Sequence, residues 1–333
     1  MGAHLTTADF QMADHISLKV TVPNELGQKR LDQVAAELFQ EYSRSRLQSW
    51  IKDGQLKVDG EARKIKEKLI GGEILTLEAE LTPEGEWLAQ DIPLEIVHED
   101  DQIIVINKPA GLVVHPAAGN PDGTVLNAML YRYPEVINLP RAGIVHRLDK
   151  DTSGLMVIAR TLEAQNSLVQ QLQSREMGRE YEAVCMGVLT GGATIDEPIS
   201  RHNTNRLKMA VHPTGKEAVT HYRVLERFQN HTHIRVKLET GRTHQIRVHM
   251  AFIQHPLVGD PLYAGRMRLP KQCGPELADA LKHFQRQALH AKALQLRHPQ
   301  SGELMQWEVE LPEDLHNLLE TLRDDHQQAG GDW

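Results

Sequence analysis

Residues Gly143 to Arg160 read GIVHRLDKDTSGLMVIAR, and this stretch decides how the larger part of the chain is built. It opens on the apolar Ile144 and Val145, passes through Arg147, Asp149, Lys150 and Asp151, closes at Ser153-Gly154 and ends in LMVIA. A short apolar run bounded by Gly and Ser reads as a buried strand. The charged residues therefore fall on a loop between strands, where a rigid scaffold displays reactive groups. An aspartate in such a loop often just hydrogen-bonds nearby backbone, and Asp151 keeps that reading.

Working outward, IIVIN at 103–107, YEAVCMGVL at 181–189 and HIRVKLE at 233–239 are further strands, and TLEAQNSLVQQLQ at 161–173 is the clearest helix. Strands outnumber helices and do not alternate with them regularly, so the fold class is α+β, with a mostly antiparallel mixed sheet over residues 92–322. Residues 18–77 read as a separate, small α/β unit. Leu31, Val34, Leu38 and Phe39 share one helix face, and Leu47, Trp50 and Ile51 share another, with Ser43 placed to cap the second helix. Asp53-Gly54 and Asp59-Gly60 are turn pairs around a short strand, Gln55 to Val58. Residues 78–91, with Pro83 and Gly85 and no periodicity, are the expected linker, and 323–333 the expected flexible tail.

At 333 residues the chain exceeds what one core usually covers. No apolar run reaches the roughly 18 to 20 residues of a membrane span. The first residues, MGAHLTTADFQMADH, lack the basic start and apolar stretch of a secretory signal, so a cytoplasmic location is expected. Cys185 and Cys273 form no CxxC pair, and His231, His233, His244 and His249 form no metal-ligand pattern, so neither a disulfide framework nor a metal is expected.

The net charge of -8 taken as a whole disfavours a nucleic-acid partner, but the charge is segregated. Residues 78–101 hold nine acids and no Lys or Arg, whereas residues 201–249 hold ten Lys or Arg against three acids. Residues 29–68 hold ten against seven, and Arg30, Arg44, Arg46 and Lys52 lie on or beside the two N-terminal helices, so one basic face is geometrically possible.

HRLDKDTSG, from His146 to Gly154, resembles at every position the HRLD-x-DTSG signature of the RluA-type pseudouridine synthases. REYEAV at 179–184 is similar to that family's second motif, and LETGRTHQIRVHM at 238–250 with HPLVGDPLYAG at 255–265 is similar to its third. Ala264 departs from the glycine common there, at a position concerned with packing more than chemistry. The first 90 residues resemble an S4 RNA-binding domain through RLDQ, SRSRLQSWI and DGQLKVDG. Stretches 99–128 and 196–224 are similar to members that act on the large ribosomal subunit. The resemblance implies a 23S rRNA or large-subunit precursor as partner, the helix 69 stem-loop as target and more than one modified uridine. Nothing in the sequence requires more than a monomer.

The same resemblance implies roles for four residues. Asp149 is the catalytic carboxylate, Arg247 its cationic partner, Tyr181 the ring that stacks on the uracil, and Arg147 the side chain that fills the space an extruded base leaves. The chemistry agrees with a carboxylate. Uridine becomes pseudouridine when the bond from C1′ to N1 breaks and C1′ joins C5, an isomerisation that needs no cofactor. An ionised Asp can attack sugar or base, or act as a base at the 2′ position, and an arginine beside it favours the ionised form. Extruding the base from folded RNA costs on the order of a few kcal/mol. Two other readings remain open: an S4-type factor that binds rRNA without catalysis, and a glycosidase-like hydrolase using Asp149 and Asp151. The hydrolase fits poorly, since carboxylates two residues apart seldom flank a substrate at the required separation.

Overall fold

The computed structural model describes residues 15–39, 42, 44–80, 87–117, 119–266, 269–270 and 273–330. The chain divides into two compact units, Met1–Trp87 with Glu135–Ala142, and Leu88–Pro134 with Gly143–Trp333. In the first, β1 (His15–Thr21), α1 (Leu31–Leu38), α2 (Arg44–Lys52), β2 (Leu56–Val58) and β3 (Ile74–Glu80) follow in order, and the antiparallel sheet runs β1-β3-β2. The helical spacing seen in the sequence buries Leu31, Val34 and Ala35 of α1 and Leu47, Trp50 and Ile51 of α2 in one core with Leu56, Val58, Leu75 and Leu77. Asp59 and Gly60 both have positive φ, 52° and 83°, which makes the turn after β2. The sheet extends beyond both expected limits, 18 and 77, because β1 and β3 pair from His15–Glu80 to Thr21–Ile74. Ser43 and residues 81–86, including Pro83 and Gly85, lie outside the described residues.

The second unit begins with β4 (Glu95–Glu99), β5 (Ile103–Lys108), α3 (Val125–Arg132), β6 (Ser153–Ala159), α4 (Leu162–Gln173) and β7 (Gly178–Met186). It continues through β8 (Ala193–Asp196), β9 (Ile199–Arg201), β10 (Met209–Val211), β11 (Val219–Arg227), β12 (His231–Leu238) and α5 (Gln245–Phe252). The last elements are α6 (Pro275–His283), β13 (Leu289–Arg297), β14 (Leu304–Glu308) and α7 (Glu313–Gln328). One sheet runs β4-β5-β6-β13-β7-β12-β11-β8, with β14 beside β13, while β9 and β10 form a separate ribbon. Only β6 and β13 pair in parallel among the described strands. The mixed, mostly antiparallel α+β architecture is the one the irregular order of strands and helices implies.

Three local features place the loop that carries Asp149. Thr161 caps α4 by accepting the Ala164 N–H at 3.1 Å, and Ala164 and Leu168 of that helix pack in the same core as Val157 of β6. Gly154 has φ 113°, and a Cβ there would stand 2.3 Å from the Ala291 carbonyl oxygen, so only glycine lets β6 approach β13. Before the loop, Arg141 and Ala142 take left-handed backbone with φ 53° and 51°, and Gly143 follows at 77°. Residues 135–142, assigned from sequence to the 92–322 domain, cluster with the first unit instead. These consecutive positive φ values let the chain reverse there.

The C-terminus also differs from expectation. The loose tail from 323 is not seen, since α7 continues to Gln328. Leu315, Leu318, Leu319 and Leu322 bury one helical face, and Arg323 reaches Glu226 at 2.8 Å, so the helix has both an apolar stripe and an ion pair beyond Leu322. Residues 331–333 lie outside the described residues. No described helix is long and apolar enough to cross a membrane.

Candidate active site

The loop between Gly143 and β6 is held from two sides. The Lys108 ammonium, fully buried at the end of β5, donates to the carbonyls of Pro109, Leu112 and Lys150 at 2.8, 2.9 and 3.0 Å. Burial pulls this lysine down to about 7, while the charges of Asp151 and Asp149 act in the opposite sense. On the other side, Nε2 of His146 accepts the Val157 N–H at 3.1 Å, so its proton belongs on Nδ1. Burial, reinforced by Arg179, pulls His146 down to about 3 and keeps it neutral. Thr152 N–H closes the turn on the Asp149 carbonyl at 3.1 Å. The loop is thereby fixed, and the Asp149 side chain stays 16% exposed.

Arg247 projects from α5 into the space facing that carboxylate. Its Nη1 donates to Oδ2 of Asp149 at 2.8 Å, while Nε and Nη2 form a two-pronged pair with Asp260 at 2.7 and 2.9 Å. Asp260, fully buried at its side chain, also accepts the backbone N–H groups of Leu262 and Tyr263 at 2.8 and 3.0 Å. Burial works against the Arg247 cation, but Asp260 and Asp149 outweigh it and raise its pKa. The guanidinium lies 5.1 Å from the Tyr263 ring centre. A permanently charged arginine is thus locked in one orientation with one N–H directed at Asp149. Among the described residues, the Asp149 side chain accepts this single hydrogen bond, and Oδ1 faces Nε2 of His244 at 3.9 Å.

Tyr181 stands on β7, in register with Val236 of β12 and Ala291 of β13, and is 6% exposed. Burial raises its pKa; Arg179 lowers it and the Asp149 charge adds to the rise, so the phenol stays protonated beside that carboxylate's field. Arg147 is exposed, and its charge acts on His244. The structure therefore joins Asp149 and Arg247 by direct contact, sets Tyr181 within reach of the Asp149 charge and leaves Arg147 at the solvent side. Sequence reasoning missed Asp260, His244, Tyr263 and Lys108. Asp260 and Tyr263 lie inside HPLVGDPLYAG, but only geometry shows that Asp260 clamps Arg247. The neighbouring His249 and Gln245 build the scaffold: both bond Thr220 Oγ1, at 2.8 and 3.0 Å.

The four N-terminal basic residues separate into three kinds. Arg30 and Arg44 both bond the buried Asp32, at 2.9 and 2.7 Å, with their side chains 35% and 50% exposed. Arg46 is only 7% exposed and its guanidinium lies 5.7 Å from the ring centre of Trp50, one turn further along the same helix, so little of it faces a phosphate. Lys52, the last residue of α2, is exposed.

Residues 102–252 match the family model described as RNA pseudouridylate synthase, and residues 29–73 match the S4 domain. This chain belongs to the pseudouridine synthase family and is an RNA-modifying isomerase. It is 61% identical over 320 residues, 96% of its length and all of the relative's, to the ribosomal large subunit pseudouridine synthase D of Pseudomonas aeruginosa (strain PAO1). It is 58% identical to the protein of the same name from Escherichia coli (strain K12), over 95% of this chain and 98% of that one. Among solved structures, human RNA Pseudouridylate Synthase Domain Containing 4 superposes with a TM-score of 0.53 at 27% identity, covering 69% of this chain and 93% of that one.

Proposed function

We propose that this protein converts uridines to pseudouridine in the RNA of the large ribosomal subunit, at the helix 69 stem-loop of 23S rRNA, and that Asp149 carries out the bond exchange. The observation that carries the reading is the unequal treatment of the two Asp149 oxygens: Oδ2 is held by Arg247 at 2.8 Å and Oδ1 is left for a substrate. A flipped uridine would place its ribose against Oδ1, Tyr181 would stack on the uracil, and Arg147 would occupy the gap left in the RNA. The 92–322 segment acts as the catalytic domain. The 18–77 segment serves as an S4-type RNA-binding domain, in which the exposed Lys52 and the exposed parts of Arg30 and Arg44 are the phosphate contacts. The protein acts as a cytoplasmic monomer and without a cofactor. The names of its relatives, which specify the large ribosomal subunit, support that choice of RNA.

The test is product analysis after incubation with a helix 69 stem-loop. Pseudouridine at more than one position is expected. Free uracil would instead indicate a hydrolase, and unchanged RNA with tight binding a noncatalytic factor. Mapping pseudouridine in ribosomal RNA from cells lacking the protein extends the test to the target site.

A further inference from the structure

His244 opens α5 with φ 56° and ψ 21°, a left-handed backbone that few non-glycine residues adopt, asparagine and histidine being among the commonest. Its ring is fixed by Tyr263. The two rings meet edge to face at 5.7 Å, and His244 Nδ1 lies 2.8 Å from the Tyr263 hydroxyl oxygen. That hydroxyl also accepts the Met209 N–H at 2.9 Å, which leaves its own proton for Nδ1. Nδ1 is then an acceptor, and in the neutral ring Nε2 carries the hydrogen. The ring is neutral because burial, with Arg247 and Arg147 adding to it, outweighs the attraction of Asp149 and Asp260.

Nε2–H therefore faces Asp149 Oδ1 across 3.9 Å, too far for a hydrogen bond. An oxygen about 2.8 Å from both atoms bonds to each by sitting about 2 Å to the side of the line between them. To be matched on both sides it must accept from Nε2–H and donate to the carboxylate, which a hydroxyl does and a carbonyl or phosphate oxygen does not. Inside an RNA chain the 3′ and 5′ oxygens are esterified, so the 2′-hydroxyl is the one free hydroxyl on each ribose.

We propose that His244 Nε2 and Asp149 Oδ1 together grip the 2′-hydroxyl of the target nucleotide, so that His244, oriented by Tyr263, makes this site require ribose. The inference rests on Asp149 being the residue that meets the ribose. It adds a substrate-binding role for His244 and a positioning role for Tyr263.

The test pairs protein and substrate changes. A stem-loop with ribose at the target uridine and one with 2′-deoxyribose there are compared in single-turnover rate and in affinity, for the unaltered protein, His244→Asn and Tyr263→Phe. Asparagine keeps the left-handed backbone but is too short to present an N–H where Nε2 stands. The unaltered protein should favour ribose by about 100-fold, since deoxyribose loses two hydrogen bonds worth about tenfold each. His244→Asn should lose about tenfold on the ribose substrate and nothing on the deoxyribose one, so that the preference shrinks to what Asp149 alone confers. Tyr263→Phe, which frees the ring tautomer, should reduce the preference by less. If deoxyribose RNA does not turn over, the same cycle is read from affinities. Equal penalties on both RNAs, or an undiminished ribose preference in both variants, overturn the proposal. Failure of the underlying reading looks different: Asp149→Asn would still turn over, whereas failure of this inference leaves Asp149→Asn inactive.

Discussion

Asp32 of the first unit and Asp149 of the second are both bound by arginines, and they have opposite surroundings. Asp32 of the first unit has a fully buried side chain and accepts hydrogen bonds from Arg30, Arg44 and Gln48, at 2.9, 2.7 and 2.7 Å for the shortest of each. Burial alone would raise its carboxyl, but Arg44, Gln48 and Arg30 together hold it below the ordinary value. Asp149 of the second unit keeps part of its surface in solvent and receives one bond, from Arg247, among the described residues. In that pair the saturated partner is the arginine, which Asp260 grips with two bonds. Saturating the acid locks a fold, whereas saturating the base leaves the acid oriented and open to a substrate.

The largest expected effect that would break this contrast, short of removing either aspartate, comes from Arg247→Ala. Without the cation, turnover in a single-turnover product assay should fall about 100- to 1000-fold, as for loss of one preorganised electrostatic partner. A loss smaller than tenfold would mean that Asp149 does not depend on its arginine. Asp260→Asn should cost less, about 10- to 100-fold, because Arg247 would keep its charge but lose its alignment. Turnover equal to that of the unaltered protein would show that the two-pronged bond is packing only.

Asp32→Asn sharpens the other side of the comparison. It should destabilise the first unit by about 1–3 kcal/mol and leave turnover at saturating RNA unchanged. Because the folded-state pKa of Asp32 is lowered, its stabilisation is fully present above the unfolded value of about 3.9 and is lost as pH falls through that value toward the folded one. Protection of α1 and α2 against hydrogen exchange, taken relative to the intrinsic rate at each pH, should therefore fall in acid for the unaltered protein, and Asp32→Asn should reduce that acid sensitivity. Exchange with the same pH dependence in both would remove Asp32 as the cause. The smallest effect is expected from Lys52→Ala: the slope of log affinity against log salt should shrink by up to about one unit. Arg46→Ala should leave the slope unchanged and loosen α2 instead, and the reverse pattern would restore Arg46 as a phosphate contact.

The elements were largely legible because their apolar residues recur at helix or strand spacing, as in Leu31, Val34, Leu47, Trp50 and Ile51. The boundaries were less so. The polar, Gly-containing stretch DDHQQAGGDW reads as a loose tail, yet Leu315, Leu318, Leu319 and Leu322 start a buried helical stripe that Arg323 prolongs through Glu226. At the site, contiguous motifs pointed to Asp149 and Arg247, which lie 98 positions apart and meet at 2.8 Å. The clamp by Asp260 and the ring of His244 were not legible, since each depends on which way a side chain points after α5 has packed. Arg46 misled for the same reason. Its charge suggested solvent, while the face of α2 it occupies carries it against Trp50.

The contrast between the two carboxylates is tested most directly by Asp149→Asn and Asp32→Asn, assayed side by side for pseudouridine formation on the helix 69 stem-loop and for unfolding in denaturant. Asp149→Asn should form no pseudouridine while unfolding within about 1 kcal/mol of the unaltered protein, because the asparagine oxygen can still accept from Arg247, whose charge stays paired with Asp260. Asp32→Asn should unfold more readily and keep full turnover. Pseudouridine formation by Asp149→Asn would contradict the account, and so would its loss in a folded Asp32→Asn at saturating RNA.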